Sequence, residues 1–139
     1  MQHSITCYSR SAADASDTNA ALRALTKPST LKREFRHALE TGPNVLSTVA
    51  YWEVVLKTMK GLLEVDDLRT WWADALEQLA ATPLLLRPEH VTELQTLPPI
   101  HKDPFDRLLI AQAAVEGLTL LTTDRDIKRY ASERIRIRI

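Results

Sequence analysis

"DPFDRLLIAQAAVEGLTLLTTDRD", from Asp103 to Asp126, carries five acidic side chains, with Asp103 and Asp106 near one end and Asp124 and Asp126 at the other. Between those ends the stretch is almost wholly apolar. Asp103 suits a helix cap, Pro104 a first helical residue and Gly117 a terminator. "LTLLTTD" then reads as a strand without a polar face, as a strand covered on both sides does. A helix followed by a strand puts Asp106 in the first turn of one element and Asp124 just past the end of the next. The two are 124 − 106 = 18 positions apart, enough for one helix out and one strand back. Both carboxylates can therefore face one point, beyond the carboxyl ends of the strands, where open α/β sheets gather their ligands.

The pattern repeats on either side. Upstream, "VLSTV" is a short β-branched run that reads as a buried strand, and "AYWEVVLKTMKG" follows as a helix with apolar groups on most sides. "LRTWWADALEQLA" is an amphipathic helix, "TPLLLR" a strand, and Pro88 opens a helix in "PEHVTELQTL". "PPIHKD" is a loop, "RDIKRY" a helical turn, and "RIRIRI" a strand with one charged face. Nearer the start, "DTNAALRAL" from Asp17 and "STLKREFRHALETG" from Ser29 read as helices, and "SITCY" as a short strand. Strands alternating with helices predict an α/β fold whose largely parallel central sheet is flanked by helices on both faces. "VLSTV", "PLLL" and "LTLL" suit its centre and "RIRIRI" its edge. Residues 1–16 form a poorly defined N-terminal segment and 17–139 a single domain.

At 139 residues there is room for one domain with a real core. The formal charge is zero, so no global basic field points to a polyanionic partner, which would have to be held by a local patch or through metal ions. A single cysteine, Cys7, cannot close an internal disulfide, and neither a secretory signal nor a membrane-length apolar run is visible. These features predict a cytoplasmic protein.

Each acid has a plain structural explanation beside a chemical one. Asp106 could complete a capping box with Asp103, Asp124 could cap "RDIKRY", and Asp17 could cap the helix it precedes. Glu53 is different. It sits among Val49, Ala50, Tyr51, Trp52, Val54, Val55 and Leu56, where a carboxylate is costly unless paired or metal-bound. A Glu53–Lys57 pair one turn apart would suit an exposed position better than this one. Several acids meeting need a cation, and oxygen-only donors select Mg²⁺ or Mn²⁺ over zinc. His3, His37, His90 and His101 have no zinc-like spacing.

Taken together, "DTNAALRAL", "STVAYWEVVLKTMKG" and "IHKDPFDRLLIAQAAVEGLTLLTTD" resemble the PIN-domain ribonucleases, in particular the VapC-type toxins of bacterial toxin–antitoxin pairs. The resemblance implies a PIN-like three-layer fold. It also implies a four-carboxylate metal site, catalytic at the same time, at Asp17, Glu53, Asp106 and Asp124. Asp103 and Asp126 would help shape the pocket, Thr18 and Asn19 match the polar pair after the first acid, and Thr122 a hydroxyl beside the last. The implied reaction is Mg²⁺-dependent hydrolysis of RNA phosphodiesters, with Mn²⁺ as a substitute metal and no side-chain nucleophile. Implied partners are the RNA substrate, a cognate antitoxin protein and a second copy of the chain in a homodimer.

The chain departs from the family before Asp17, where "SRSAADAS" stands in place of an apolar strand running into the first acid. Asp14 is therefore an alternative first ligand. A catalytically weakened PIN-like module that keeps dimer and antitoxin binding is an alternative function. A third reading is another Mg²⁺-dependent enzyme acting on phosphate esters. Lys57, Lys60, Arg107, Arg125, Lys128 and Arg129 are candidate rim cations or ordinary solvated faces. Trp52, Trp71 and Trp72 are expected to pack in core or interface rather than stack on bases. Of the adjacent pair Trp71 and Trp72, one would face a partner if both cannot reach the same core.

Overall fold

The computed structural model of the chain describes residues 7–9, 44–100, 103–122 and 125–138. Its elements in chain order are β1 (Cys7–Ser9), β2 (Asn44–Ser47), α1 (Thr48–Met59), α2 (Leu68–Gln78), β3 (Ala81–Leu84) and α3 (Pro88–Glu93). A 3-10 turn at Leu94–Thr96 leads on to α4 (Pro104–Glu116), β4 (Thr119–Leu121), α5 (Arg125–Lys128) and β5 (Arg136–Arg138). The helices expected in "DTNAALRAL" and "STLKREFRHALETG" lie outside the described residues.

The strands form one sheet in the order β3-β2-β1-β4-β5. β2 pairs parallel with β3, and β4 with β5, while β1 runs antiparallel to both β2 and β4. Four strands thus share one direction and the short central β1 is reversed. The fold is α/β, with a largely parallel sheet.

Alternation along β2 shows how helices cover both faces. Val45 packs into one core with Leu109, Ile110 and Leu120, whereas Leu46 packs into another with Ala50, Val54 and Ala75. Neighbouring residues of a strand point to opposite faces, so these cores lie on the two sides of the sheet. The first belongs to α4 and the C-terminal elements, the second to α1 and α2.

Four expectations are met and two are corrected. Asp103 caps α4 by accepting from the Phe105 and Asp106 amides, Pro104 opens the helix, and Gly117 ends it at φ 66°, a left-handed conformation that glycine adopts without strain. β5 lies at an edge, as "RIRIRI" predicts. "PLLL", however, is not central. β3 occupies the opposite edge, and Leu85 and Leu86 beyond it are exposed. Pro83 lacks the N–H that a second neighbour would require, which suits an edge strand. "VLSTV" also does not continue as a strand: Ser47 accepts from the Val49 amide and starts α1 at Thr48.

Trp71 and Trp72 both stay half-buried, because the Tyr51 ring stacks on each of them, with centroids 6.3 Å and 4.8 Å away. Trp52 is the exception to the packing expectation, being half exposed.

Candidate metal centre

α1 and α4 pack against each other in opposite senses. Ser47, at the start of α1, hydrogen-bonds Gln112 in the second half of α4 at 2.5 Å. Six residues further along α1 is Glu53, and six residues earlier on α4 is Asp106. The same antiparallel packing that joins the first pair brings the second pair together.

Glu53 and Asp106 are 3% and 2% exposed, so both carboxylates lie inside the protein. With half-buried Asp103 they form a trio in which one carboxylate oxygen from each lies within 4.8 Å of the others. Two full charges about 5 Å apart repel by roughly 3 kcal/mol at an effective dielectric near 20. Three such groups need positive charge or protons among them. Around one octahedral Mg²⁺ adjacent ligand oxygens are roughly 3 Å apart and opposite ones roughly 4.2 Å, so the trio would draw together to share an ion. The donor set is all oxygen and suits a hard divalent cation rather than zinc. The residues fit such an ion.

A pocket of about 410 Å³ opens beside the trio, lined by Glu53 and Asp103, by Lys57 and Lys60, and by Pro104 and Phe105. Lys57 is buried one turn after Glu53, and Lys60 is exposed. Two other candidate rim cations, Arg107 and Lys128, have structural duties. The Arg107 guanidinium donates to the Pro98 and Leu94 carbonyls and to the Tyr130 hydroxyl. The Lys128 ammonium donates to the Ile137 carbonyl at 2.8 Å, and Arg129 lies 4.0 Å from Asp126 across an exposed turn.

The structure thus joins Glu53 and Asp106 and adds Asp103, which the sequence ranked as a neighbour only. Thr122 is buried just after β4, and Asp126 is exposed on α5. Asp17, Thr18, Asn19 and Asp124, with the substitute Asp14, lie outside the described residues.

Sequence reading missed a second buried group behind the trio. Ser47 Oγ donates to Gln112 Oε1, and the Gln112 amide meets His90 Nδ1 at 3.3 Å. The Arg87 backbone N–H donates to the same Nδ1 at 3.0 Å, which makes that nitrogen the acceptor. His90 Nε2 lies 3.5 Å from Glu116, which the Arg87 guanidinium also grips. The signal for Gln112 was present in "LLIAQAAV": a polar residue within an apolar helix, the same reasoning that singled out Glu53.

The PIN domain family matches residues 16–133. The chain belongs to the PIN-domain family. No curated protein and no solved structure matches it significantly. PIN domains are generally nucleases that depend on divalent metal ions, and the acidic trio lies within the matched region. Among the described residues, no helix is long and apolar enough to cross a membrane.

Proposed function

We propose that the protein is a Mg²⁺-dependent endoribonuclease acting as the toxin of a toxin–antitoxin pair, with Asp17, Glu53, Asp106 and Asp124 as metal ligands. One observation carries this reading. Glu53 and Asp106 are 106 − 53 = 53 positions apart, yet both are buried and their oxygens meet with that of Asp103 within 4.8 Å.

Bound Mg²⁺ would supply an acidified water and polarisation of the scissile phosphodiester. The chain's own residues do the positioning. Burial fixes the Glu53 and Asp106 carboxylates on two packed helices, and Asp103 adds a third donor while its Oδ1 caps α4. Lys57 and Lys60, on the wall of the same pocket, offset the negative charge that an RNA backbone brings. Mn²⁺ would serve at the same oxygens.

The toxin role rests on the resemblance of "STVAYWEVVLKTMKG" and "IHKDPFDRLLIAQAAVEGLTLLTTD" to VapC-type toxins, and with it come the antitoxin and the homodimer. Exposed Leu85, Leu86 and Val91 provide apolar surface of the kind such partners cover. The lone cysteine accords with a cytoplasmic setting.

The decisive variant is Asp106→Asn. Loss of even an outer-shell partner typically costs about 10–100-fold, so removing a ligand lowers the rate of RNA cleavage by about 100-fold or more. Circular dichroism and thermal melting would show the fold retained. Undiminished cleavage by this variant sinks the assignment.

One observation favours the second reading, the weakened module. The reversed β1 ends at Ser9 opposite Asn44, at the start of β2 and away from the sheet end where α1 departs. A first acid placed directly after β1 would therefore begin at the opposite end of the strands from α1. Calorimetric Mg²⁺ titration separates the two readings: carboxylate-dependent binding supports the nuclease, and no binding at tens of millimolar supports the module.

A further inference from the structure

Trp52 immediately precedes Glu53 on α1 and is 49% exposed. Leaving an indole in water forgoes the burial that would stabilise the fold, so its position calls for an explanation. The ring is not loose. It meets Phe105 of α4 with centroids 4.8 Å apart and planes 80° to one another, an edge contact that holds both rings. Phe105 also lines the pocket that contains Glu53 and Asp103. An accessible indole therefore stands one residue before Glu53, braced against a ring that lines the acidic pocket and belongs to the helix that supplies Asp106.

The neighbouring charges narrow the choice of occupant. Lys60 is exposed, Lys57 lines the same pocket, and the carboxylate trio reaches an anion only through a cation. A flat π-face, ammonium groups and a phosphate-handling site within one small region match a single chemical class, a nucleotide. A base inside a duplex has both faces covered by its neighbours, whereas an unpaired base can give one to an aromatic side chain.

We propose that Trp52, braced by Phe105, is a stacking platform for an unpaired nucleobase beside the phosphate handled at Glu53, Asp103 and Asp106. This rests on the nuclease reading and assigns one more residue to its binding surface. Trp52 sets the register of the strand and takes no part in bond breaking, so it is a positioning residue.

The test is an abasic scan. A fluorescein-labelled single-stranded RNA dodecamer, and a series with one abasic nucleotide at each position in turn, are bound in Ca²⁺ and followed by anisotropy. Ca²⁺ accepts oxygen ligands in flexible geometry. The wild-type chain loses about tenfold in affinity at one or two abasic positions. Trp52→Ala binds intact RNA about tenfold more weakly and loses nothing further at those positions, because the base and the ring act as one unit. Trp52→Phe keeps most of the affinity and keeps the abasic sensitivity, which a merely structural role would not link to one nucleotide.

The platform is overturned if Trp52→Ala binds like the wild type, as it would were the ring reserved for a protein partner. It is equally overturned if that variant keeps the full abasic penalty, or if the wild-type chain binds no RNA. The nuclease reading is judged separately, on metal-dependent cleavage by wild type and Asp106→Asn. Cleavage with a flat scan removes the platform alone. A positional scan without cleavage removes the nuclease reading alone.

Discussion

On the Ser47 side of the α1–α4 contact, a hydroxyl, an amide and an imidazole pass hydrogen bonds from one to the next, and the chain ends on a Glu116–Arg87 pair nearer the surface. On the Glu53 side of the same two helices, three carboxylates crowd within 4.8 Å. Both groups are polar and largely buried, and each unites residues distant in sequence. In the first, donors meet acceptors within the protein, so burial costs little. In the second, like charges meet, and a cation among them would offset their repulsion. One helix pair thus carries a self-sufficient polar network and a receptive one. The first is structural by its chemistry, and the second has the all-oxygen donor set that a hard cation would take.

If that distinction holds, the two groups respond oppositely to mutation and to metal. The largest effect on stability is expected from Gln112→Ala, in the self-sufficient group. It opens a cavity and removes the partner of both Ser47 Oγ and His90 Nδ1, at a cost of about 2–4 kcal/mol. Urea unfolding measures the loss, and the Mg²⁺ dependence of the melting temperature should remain. A Gln112→Ala protein as stable as the wild type, or one deaf to Mg²⁺, would erase the difference between the two groups.

A smaller and conditional effect belongs to the receptive group. At free Mg²⁺ about 100 times its Kd, binding to the folded state alone stabilises by roughly 2.7 kcal/mol. For a domain of this size that raises the melting temperature by roughly 5–10 °C. Glu53→Gln should abolish most of that rise while Ser47→Ala preserves it. Ser47→Ala should instead lower stability by about 0.5–2 kcal/mol at every Mg²⁺ concentration, since it removes the cap of α1. Parallel melts with and without EDTA check both, and a Glu53→Gln protein with an unchanged Mg²⁺ response would argue against an ion among the carboxylates.

How far these groups could be read from sequence follows from how local their causes are. The cap at Asp103, the opening Pro104 and the left-handed Gly117 are chemistry within a turn or two, and each is visible in the string. Glu53 stood out because a charge amid "VAYW" and "VVL" has no cheap local explanation. The meeting of Glu53 with Asp106 came from the family resemblance, since the rule that places helix starts near strand ends spoke to Asp106 and to Asp124, which lies outside the described residues. Strand order has no such local cause. β3 and β2 are both short apolar runs, and only pairing across the sheet makes one an edge and the other internal. The reversed β1 is of the same kind. Trp52 was misjudged because a helix that is apolar on most sides gives no periodic hint of which side meets water.

Asp103 offers the finest test, since it belongs to both kinds of group at once. Its Oδ1 accepts from the Phe105 and Asp106 amides, as a neutral cap would, while its carboxylate is one of the crowded three. Asn and Asp cap helices almost equally well, so Asp103→Asn should change metal-free stability by no more than about 0.5 kcal/mol. Asp103→Ala loses the cap as well and should cost about 1 kcal/mol. Against Mg²⁺ the two variants should be alike, each binding more weakly than the wild type by a similar factor, because both lack the charge. Calorimetric titration beside urea unfolding separates the roles. If Asp103→Asn binds Mg²⁺ as the wild type does, Asp103 is only a cap, and the receptive group shrinks to Glu53 and Asp106 among the described residues.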